Sequence, residues 1–402
     1  MTSTAQDPLV TAGATTRHMR VVIGADTYPP DVNGAATFAA RLAVGLAERG
    51  HDVHVLCPST NAHAGRATAG GVTVHRISSM GTPVHPTFRI CHPVQARRAA
   101  RALLDEIKPD LVHIQAHFIV GRALAHSARR RRVPLVATNH FMPENLHGYL
   151  PVPKRLRPLV SQLGWWDLRQ VLRHADAVTA PTPRAVQLLA DNGVPAATAV
   201  SCGIDLNRFP TAGSMPDHLI PHVLFVGRLD QEKRVDDLLR AVHLIRANVQ
   251  VRVEIVGDGK RRAAWQELAG RLGISGNVTF HGHVDEDALI AAYRRADVFC
   301  MPGVAELQSL ATMDALAAGK PVIAADAMAL PHLVRPGETG WLYPPGDVAA
   351  LAGRLRQLLN DGAGRARMGA AGRELISQHT MASTLDHFED LYRDVAPVAL
   401  SQ

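Results

Sequence analysis

The sequence predicts an α/β protein of two doubly wound domains that face each other across a cleft. Its 402 residues exceed what one hydrophobic core usually serves. Short apolar runs, typical of strands buried on both faces of a parallel sheet, alternate with helical patterns along most of the chain. This alternation stops once, at a stretch rich in Pro, Gly and polar residues, and then starts again.

The first domain is predicted over residues 19–205, after a loose start at residues 1–18. That start has neither the basic region nor the apolar region of a signal peptide, and no window approaches about 18 consecutive apolar residues. We therefore expect a cytoplasmic protein. The strand candidates of this domain are residues 19–26, 51–59, 110–115, 134–140, 175–182 and 198–205.

The pattern breaks over residues 206–220, which we interpret as an interdomain linker. A second doubly wound domain is predicted over residues 221–384, followed by a last helix within residues 385–402. Because ligands of open α/β sheets bind at the carboxyl ends of the strands, candidate site residues are sought there. The strand candidates of the second domain are residues 222–228, 251–259, 277–282, 296–303 and 321–326.

The most informative stretch runs from Glu306 to Gly319, where an acidic residue precedes a predicted helix. If the helix begins near Gln308, the free N–H groups around Ser309 and Leu310 form an anion site at its positive end. Asp314 would then stand roughly 12 Å from Glu306, about the length of a nucleotide sugar from hexose to ribose. An ordinary buried helix with both acids solvated is the alternative.

Two cations in the second domain suit a diphosphate. Arg228 ends a predicted strand, and Lys233 follows in the turn that leads into a helix. Arg offers a planar fork of donors and Lys a point charge, and both bind phosphate groups well. Positive charge at a helix start opposes the helix dipole, so we expect an anion nearby. A basic helix start without a ligand is the alternative.

Other candidates follow strands of the first domain. Asn33 and Gly34 lie in the loop after the first strand, where Gly34 would let backbone N–H groups approach a phosphate closely. The same Asn-Gly pair is also a common turn signal. His140 ends a predicted strand, where its imidazole could hydrogen-bond a sugar hydroxyl or move a proton. With 21 histidines in the chain, a structural role is the alternative.

Strand ends of the second domain complete the candidate set. Gly257 and Gly282 would permit backbone approach to a ligand, and His283 and Val284 could flank a nucleobase. Glycine after a strand is also ordinary punctuation. The chain has no GxGxxG sequence, so a nicotinamide dinucleotide is not predicted. Its four cysteines are far apart, which argues against a zinc site and against a disulfide framework.

The charge is concentrated in the first half of the chain. Residues 1–205 hold 22 Lys and Arg against 13 Asp and Glu, a net charge of +9, with the excess in Arg97–Arg101, Arg129–Arg132 and Lys154–Arg157. Such a face can dock on an anionic membrane, here the inner face of the cell membrane. Only 4% of residues are aromatic and no nucleic-acid motif is present, so nucleic acid is not expected as a partner. Solvated arginines on exposed helices are the alternative.

Several segments together resemble the retaining glycosyltransferases of family 4. They are TYPPDVNGAATF, GRLDQEKR, VGDG, HGHV and AELQSLATMDALAAGKPVIAAD, in this order. The resemblance implies the GT-B fold, in which two Rossmann-like domains face each other, the second holds the nucleotide sugar and a last helix crosses back to the first. It implies transfer of a hexose from a UDP- or GDP-sugar without a metal ion or other cofactor.

The resemblance also implies roles for the cations and for the first loop. Gly34 would touch the donor phosphate, and Arg228 and Lys233 would neutralise the diphosphate. The acceptor hydroxyl would attack from the face that the diphosphate leaves, and the leaving phosphate would take its proton. The cations and the helix start after Gln308 would stabilise the charge that develops on the departing group.

Three further residues would hold the sugar and ribose. His140 would bond the donor sugar, Glu306 its 3- and 4-hydroxyls, and Asp314 the ribose, although the family usually has Glu at that position. A side chain one methylene shorter would reach the ribose through water.

Three segments, AELQS, ALPHLV and TNHFMPEN, are similar to those of family members with lipid acceptors such as diacylglycerol or phosphatidylinositol-type glycolipids. We therefore expect a lipid or small polyol acceptor. A soluble sugar or natural-product acceptor is one alternative, and a protein that binds nucleotide sugars without catalysis is another.

Overall fold

The chain folds as an α/β protein with two mainly parallel sheets, as predicted. The computed structural model describes residues 18–31, 33–82, 89–144, 152–194, 196–209 and 219–396. Almost all of the predicted loose start and most of the predicted linker lie outside these residues. Within the described residues no helix is both long and apolar enough to cross a bilayer.

The first sheet has eight strands among the described residues, in the order β10-β9-β8-β7-β1-β2-β4-β3, with only β3 antiparallel to its neighbour. A separate antiparallel pair, β5 and β6, lies beside it. The ten strands are β1 (Arg20–Gly24), β2 (Asp52–Pro58), β3 (Gly65–Ala69), β4 (Val72–Ile77), β5 (Ser79–Gly81), β6 (Arg89–Cys91), β7 (Leu111–Ile114), β8 (Leu135–Thr138), β9 (Ala177–Ala180) and β10 (Ala197–Ala199).

Helices cover both faces of this sheet. On one face α2, α3, α4 and α5 share a core with the inward side chains of β1, β7, β8 and β9. On the other face lies α1, which begins at Gly34 because the Asn33 side chain caps it. The helices are α1 (Gly34–Glu48), α2 (Pro93–Ile107), α3 (Ile119–Arg131), α4 (Arg157–Leu172) and α5 (Pro183–Asp191).

The second sheet has six parallel strands among the described residues, in the order β13-β12-β11-β14-β15-β16. Its strands are β11 (His222–Val226), β12 (Arg252–Val256), β13 (Val278–Gly282), β14 (Val298–Met301), β15 (Val322–Ala325) and β16 (Gly340–Tyr343). The helices around it are α6 (Val235–Ile245), α7 (Arg262–Arg271), α8 (Glu286–Arg295), α9 (Leu310–Ala317), α10 (Leu330–Leu333), α11 (Val348–Leu359) and α12 (Gly362–Ile376).

The last helix, α13 (Met381–Val395), packs on the first domain rather than on the second. Its Phe388 and Tyr392 are fully buried in the same core as α1 and β1. The carboxylate of Glu389 accepts hydrogen bonds from Arg49 and His51 at 2.9 Å each. The chain therefore returns from the second domain to the first through α13.

The structure differs from the sequence predictions at several element bounds. The helix expected near Gln308 begins two residues later, at Leu310, and the last helix begins at Met381 rather than at 385. The strand predicted over residues 134–140 ends at Thr138, which leaves His140 in the following loop. Strands β3, β4, β5, β6 and β16 were not predicted. The sequence of β3, GRATA, is exposed throughout and has no large apolar side chain that would indicate a buried face.

Candidate functional site

Lys233 and Glu306 form an ion pair at the carboxyl edge of the second sheet. Lys233 ends a 3₁₀ turn after β11, and Glu306 lies between β14 and α9. The ammonium donates to Glu306 Oε1, and the side chains are only 15% and 11% exposed. Gly303 leaves room for the pair, because a Cβ there would lie 3.1 Å from the Glu306 carboxylate. The structure thus brings together two residues that are 73 positions apart.

Arg228 is surrounded by acids of its own loop. Its guanidinium lies 3.3 Å from the Asp230 carboxylate and 3.4 Å from that of Glu232. The first turn of α6 contains Asp236 and Asp237, which complement the positive end of that helix. Acidic side chains therefore already lie beside both cations, and the binding of a diphosphate by Arg228 and Lys233 stays a prediction.

Helix α9 points its N-terminus at the first domain. Ser309, just before the helix, has a φ of 70°, an unusual left-handed conformation for a residue with a side chain. Among the residues that the structure describes, no side chain caps the helix. The Leu310 side chain reaches to within 3.9 Å of the point where Gly34 would carry a Cβ. The N-termini of α1 and α9 therefore meet, and both present positive dipole ends, which favour a bound phosphate.

Asn33 and Gly34 belong to a helix start and not to a separate turn. Asn33 Oδ1 accepts a hydrogen bond from the Ala36 N–H at 2.9 Å, and Thr27 Oγ1 lies 3.3 Å from the same oxygen. The Asn33 side chain is therefore engaged in capping. Gly34 is the first residue of α1, and a Cβ there would meet no atom closer than Leu310.

Gln308, predicted as a donor-binding residue, instead joins the two domains with its side chain. Its Oε1 accepts from the Cys202 N–H at 2.7 Å, and its Nε2 donates to Ser201 Oγ at 2.7 Å. Thr182 Oγ1 donates to the neighbouring carbonyl of Leu307 at 2.8 Å. Both polar ends of the Gln308 side chain are thus engaged, which leaves its backbone for a ligand.

Asp314 is buried one turn into α9 and pairs with a residue that sequence reasoning missed. Its Oδ1 accepts from Arg208 Nη1 at 2.8 Å, and Arg208 also donates to Glu286 at 2.7 Å. Burial raises the pKa of the Asp314 carboxyl to about 6, even though the positive charges of Arg208 and Arg41 lower it. The predicted ribose contact stays a prediction, and the structure shows the carboxylate in an ion pair beside the domain junction.

His140 is held in place by residues of the first domain. Its Nε2 lies 3.0 Å from Gln115 Oε1, and its ring is tilted against Phe38 at a centroid distance of 5.0 Å. Burial lowers the pKa of His140 to about 4, so the imidazole is neutral near pH 7. A neutral ring bonded through one nitrogen leaves the other for a ligand.

The glycines at the strand ends serve the protein's own backbone. A Cβ on Gly257 would lie 2.0 Å from the Gly227 carbonyl oxygen, and one on Gly282 would lie 2.9 Å from the Arg262 guanidinium. Gly257 N–H also donates to Gly282 O at 2.8 Å. Ligand approach is therefore not needed to explain them. His283 is exposed and Val284 is half-buried beside the second core, so their predicted contact with a nucleobase stays a prediction.

One buried acid of the first domain was not singled out from the sequence. Asp26 caps α3, since its carboxylate accepts from the Val120 and Gly121 N–H groups at 2.8 and 3.2 Å. Burial raises its pKa to about 6. Within the described residues no cluster of three or more His, Cys, Asp or Glu side chains is placed to hold a metal ion.

Two family descriptions divide the chain between them. Residues 32–208 match glycosyltransferase family 4, and residues 219–375 match glycosyl transferases group 1. A GDP-mannose-dependent α-mannosyltransferase of Mycobacterium tuberculosis is 33% identical over 339 residues, which are 82% of this chain and 85% of the relative. A D-inositol 3-phosphate glycosyltransferase of Nocardia farcinica is 32% identical over 84% of this chain and 80% of its own length.

Solved structures show the same two-domain fold. Sucrose-phosphate synthase from Thermosynechococcus elongatus superposes with a TM-score of 0.77 at 21% identity, covering 93% of this chain and 98% of the other. Anabaena HepE in complex with UDP-glucose superposes with a TM-score of 0.74 at 18% identity, covering 94% and 100%. The predicted GT-B fold is confirmed.

Proposed function

Because the chain belongs to glycosyltransferase family 4, we propose that it transfers a hexose, with retention of anomeric configuration, from a GDP- or UDP-linked sugar to a hydroxyl of a lipid acceptor. Membership makes the chain an enzyme that uses a nucleotide sugar, so the non-catalytic alternative is set aside. The observation that carries the proposal is the Lys233–Glu306 pair in the segment that leads into α9.

The donor would lie between the N-termini of α1 and α9. Lys233, Arg228 and the positive end of α9 would stabilise the charge on the departing diphosphate, a task for which a fixed array of charges is well suited. Glu306 and His140 would bond the sugar hydroxyls. We expect no metal ion in this reaction, because these groups supply the positive charge. GDP-mannose is the first donor to test, since three of the relatives are named GDP-mannose-dependent α-mannosyltransferases.

An exposed apolar surface on α4 supports the proposal that the acceptor is a lipid and that the enzyme acts at a bilayer. Leu156, Leu159, Leu163 and Trp166 are 43–56% exposed and recur at helical spacing, so they form one apolar stripe, which we call the α4 stripe. It continues on the same side into the exposed Arg173. A helix with exposed apolar and basic side chains is typical of docking at a membrane interface.

The α4 stripe lies beside the predicted basic face. Arg122 of α3 bonds Asp167 of α4 at 2.6 Å, and Arg129 reaches His174 just after α4. Helices α2 and α3 share the core of α4 and expose the arginines of the first two basic clusters, although Arg131 pairs with Asp105 at 2.7 Å. Apolar and positive side chains on one face favour an anionic bilayer.

Turnover assays test the transfer. Release of GDP or UDP is measured from GDP-mannose and UDP-glucose with phosphatidylinositol or diacylglycerol vesicles as acceptor. We expect Glu306→Gln and Lys233→Met each to lower kcat/KM by roughly 100- to 1000-fold, as removal of one group that stabilises developing charge does. Lys108→Met, at the exposed end of α2, should leave it unchanged. Near wild-type turnover in both site variants would refute the assignment.

Vesicle flotation tests the docking surface. Wild-type protein should float with phosphatidylglycerol-containing vesicles at low salt, and the triple variant Leu159→Ser, Leu163→Ser, Trp166→Ser should not. Leu244→Ser is the matched control, because Leu244 is 55% exposed on α6 of the second domain. If the triple variant floats as well as wild type, or if it instead changes the mass measured by light scattering, the bilayer role fails and a soluble acceptor is favoured.

A further inference from the structure

A chain of side-chain hydrogen bonds links the last helix to His140. Tyr392 of α13 places its hydroxyl 2.6 Å from His113 Nδ1. His113 Nε2 lies 3.2 Å from the Gln115 amide nitrogen, and Gln115 Oε1 lies 3.0 Å from His140 Nε2. His113 and Tyr392 are fully buried, and Gln115 is 3% exposed. The chain therefore joins two residues 252 positions apart through groups that water does not reach.

Gln115 forces the two imidazoles to differ. An amide donates from its nitrogen and accepts at its oxygen, so the Nε2 atoms that it bridges cannot both carry a proton and cannot both lack one. The oxygen of Gln115 faces His140, so His140 carries its proton on Nε2. The nitrogen of Gln115 faces His113 Nε2 at 3.2 Å, so this atom accepts, and the Thr138 hydroxyl 2.7 Å away donates to it as well. His113 then carries its proton on Nδ1 and donates it to the Tyr392 hydroxyl.

Both imidazole rings are neutral, so each has one protonated nitrogen that donates and one bare nitrogen that accepts. Burial lowers the pKa of His113 to about 3 and that of His140 to about 4. A neutral imidazole has one donor and one acceptor, and the bond on one nitrogen fixes the state of the other. His140 Nδ1, which has no partner among the described residues, is then an acceptor on the side of the ring away from Gln115.

We propose that Tyr392, acting through His113 and Gln115, fixes the tautomer of His140 and so presents an acceptor nitrogen to a hydroxyl of the donor sugar. Tyr392 is thus a positioning residue that lies on the helix returning from the second domain. The proposal rests on the contact between His140 and the sugar proposed above. It specifies that the sugar hydroxyl donates and the protein accepts.

Removing the Tyr392 hydroxyl should reverse the pattern. In Tyr392→Phe the His113 Nδ1–H would be a buried donor without an acceptor, which is more costly than a tautomer change. His113 would move its proton to Nε2, where Thr138 Oγ1 lies 2.7 Å away. Gln115 would turn its oxygen to His113, and His140 would then carry its proton on Nδ1.

Long-range ¹H–¹⁵N NMR of the imidazoles tests this without reference to turnover, because protonated and bare ring nitrogens have distinct shifts. Signals of the two rings are assigned by their loss in His113→Gln and His140→Gln. We expect the Nε2–H form of His140 in wild type and the Nδ1–H form in Tyr392→Phe. Tyr343→Phe is the matched control and should keep the wild-type pattern, since the buried Tyr343 hydroxyl has no partner among the described residues.

Kinetics and a second variant complete the test. Tyr392→Phe should raise the KM for the donor roughly three- to tenfold with little change in kcat, as for one hydrogen bond lost in both ground and transition state. If Tyr392→Phe does not fold, Gln115→Glu serves, because a carboxylate accepts at both ends: the His113 proton should move from Nδ1 to Nε2, while His140 keeps its proton on Nε2. An Nδ1–H form of His140 in wild type, or a pattern untouched by these variants, would overturn the proposal even if Glu306 proves essential.

Discussion

The charge of Asp314 should make the folded protein less stable above pH 6, and Asp314→Asn should remove this effect. The carboxyl is 7% exposed, and burial raises its pKa from 3.8 to about 6. A carboxyl whose pKa is raised in the folded state adds to the free energy of unfolding. This contribution is complete below pH 3.8 and is lost as the pH rises through 6. The whole effect is about 3 kcal/mol, from 1.36 kcal/mol for each pKa unit.

Between pH 7.5 and pH 5 the linkage relation gives a change of about 1.4 kcal/mol. We therefore expect the free energy of unfolding of wild type to rise by that amount relative to Asp314→Asn when the pH falls to 5. Urea unfolding of both proteins at the two pH values measures it. Asp26 also has a raised pKa, but it is present in both proteins and cancels in the difference.

A difference between wild type and variant that stays flat from pH 5 to 7.5 would refute this reasoning, since it would mean that Arg208 and Arg41 offset the whole cost of burying the Asp314 carboxylate. The same samples with added GDP separate the two roles considered for the residue. If GDP stabilises wild type but not Asp314→Asn, the carboxylate is assigned to the ribose. Retention would assign it to the ion pair with Arg208, which lies 2.8 Å away.

Three further outcomes test other parts of the structure. Gly257→Ala places a Cβ 2.0 Å from the Gly227 oxygen at a φ of 126° and should cost about 3 kcal/mol or more in urea unfolding, so an unchanged midpoint would contradict the geometry. Gln308→Leu leaves the buried Cys202 N–H without its acceptor and should cost about 1–3 kcal/mol; a cost near zero would show that water replaces it. His140 has a pKa of about 4, so its titration should leave kcat/KM flat from pH 5.5 to 8 and lower it below pH 5. A break near pH 6.5 that is absent in His140→Gln would contradict that burial.

The strands and the cation set could be predicted from the sequence because each depends on short-range pattern. Apolar runs such as that of β1 and β11 mark strands buried on both faces, and residues just after them lie at the carboxyl edge of a sheet. Lys233 and Glu306 were found in this way, since each follows a strand of the second sheet. The ion pair between them was not predicted. It forms because β11 and β14 are neighbours in the sheet, so that the segments that follow these strands meet.

Other parts depend on contacts that no local pattern encodes. The Tyr392 hydroxyl forms a hydrogen bond with His113, which is 279 positions away. Nothing in the helical pattern of α13 indicates that this hydroxyl bonds a residue of the first sheet. Arg208 lies in a stretch rich in Pro and Gly that is typical of a linker, yet it neutralises Asp314. Gly257 was interpreted as room for a ligand, whereas the Gly227 backbone occupies that room.

The segment from Glu306 to Asp314 performs two tasks at once. Glu306 meets Lys233 within the second domain, while Gln308 and Leu310 contact the first domain at Cys202 and Gly34. The same short segment therefore carries contacts to the first domain and the helix N-terminus at which we propose that the diphosphate binds. A substitution between residues 307 and 314 would alter the domain contact as well as the proposed donor site, so kinetics there report on both. Glu306 and Lys233, whose side chains pair only within the second domain, are the positions at which kinetics report on the donor itself.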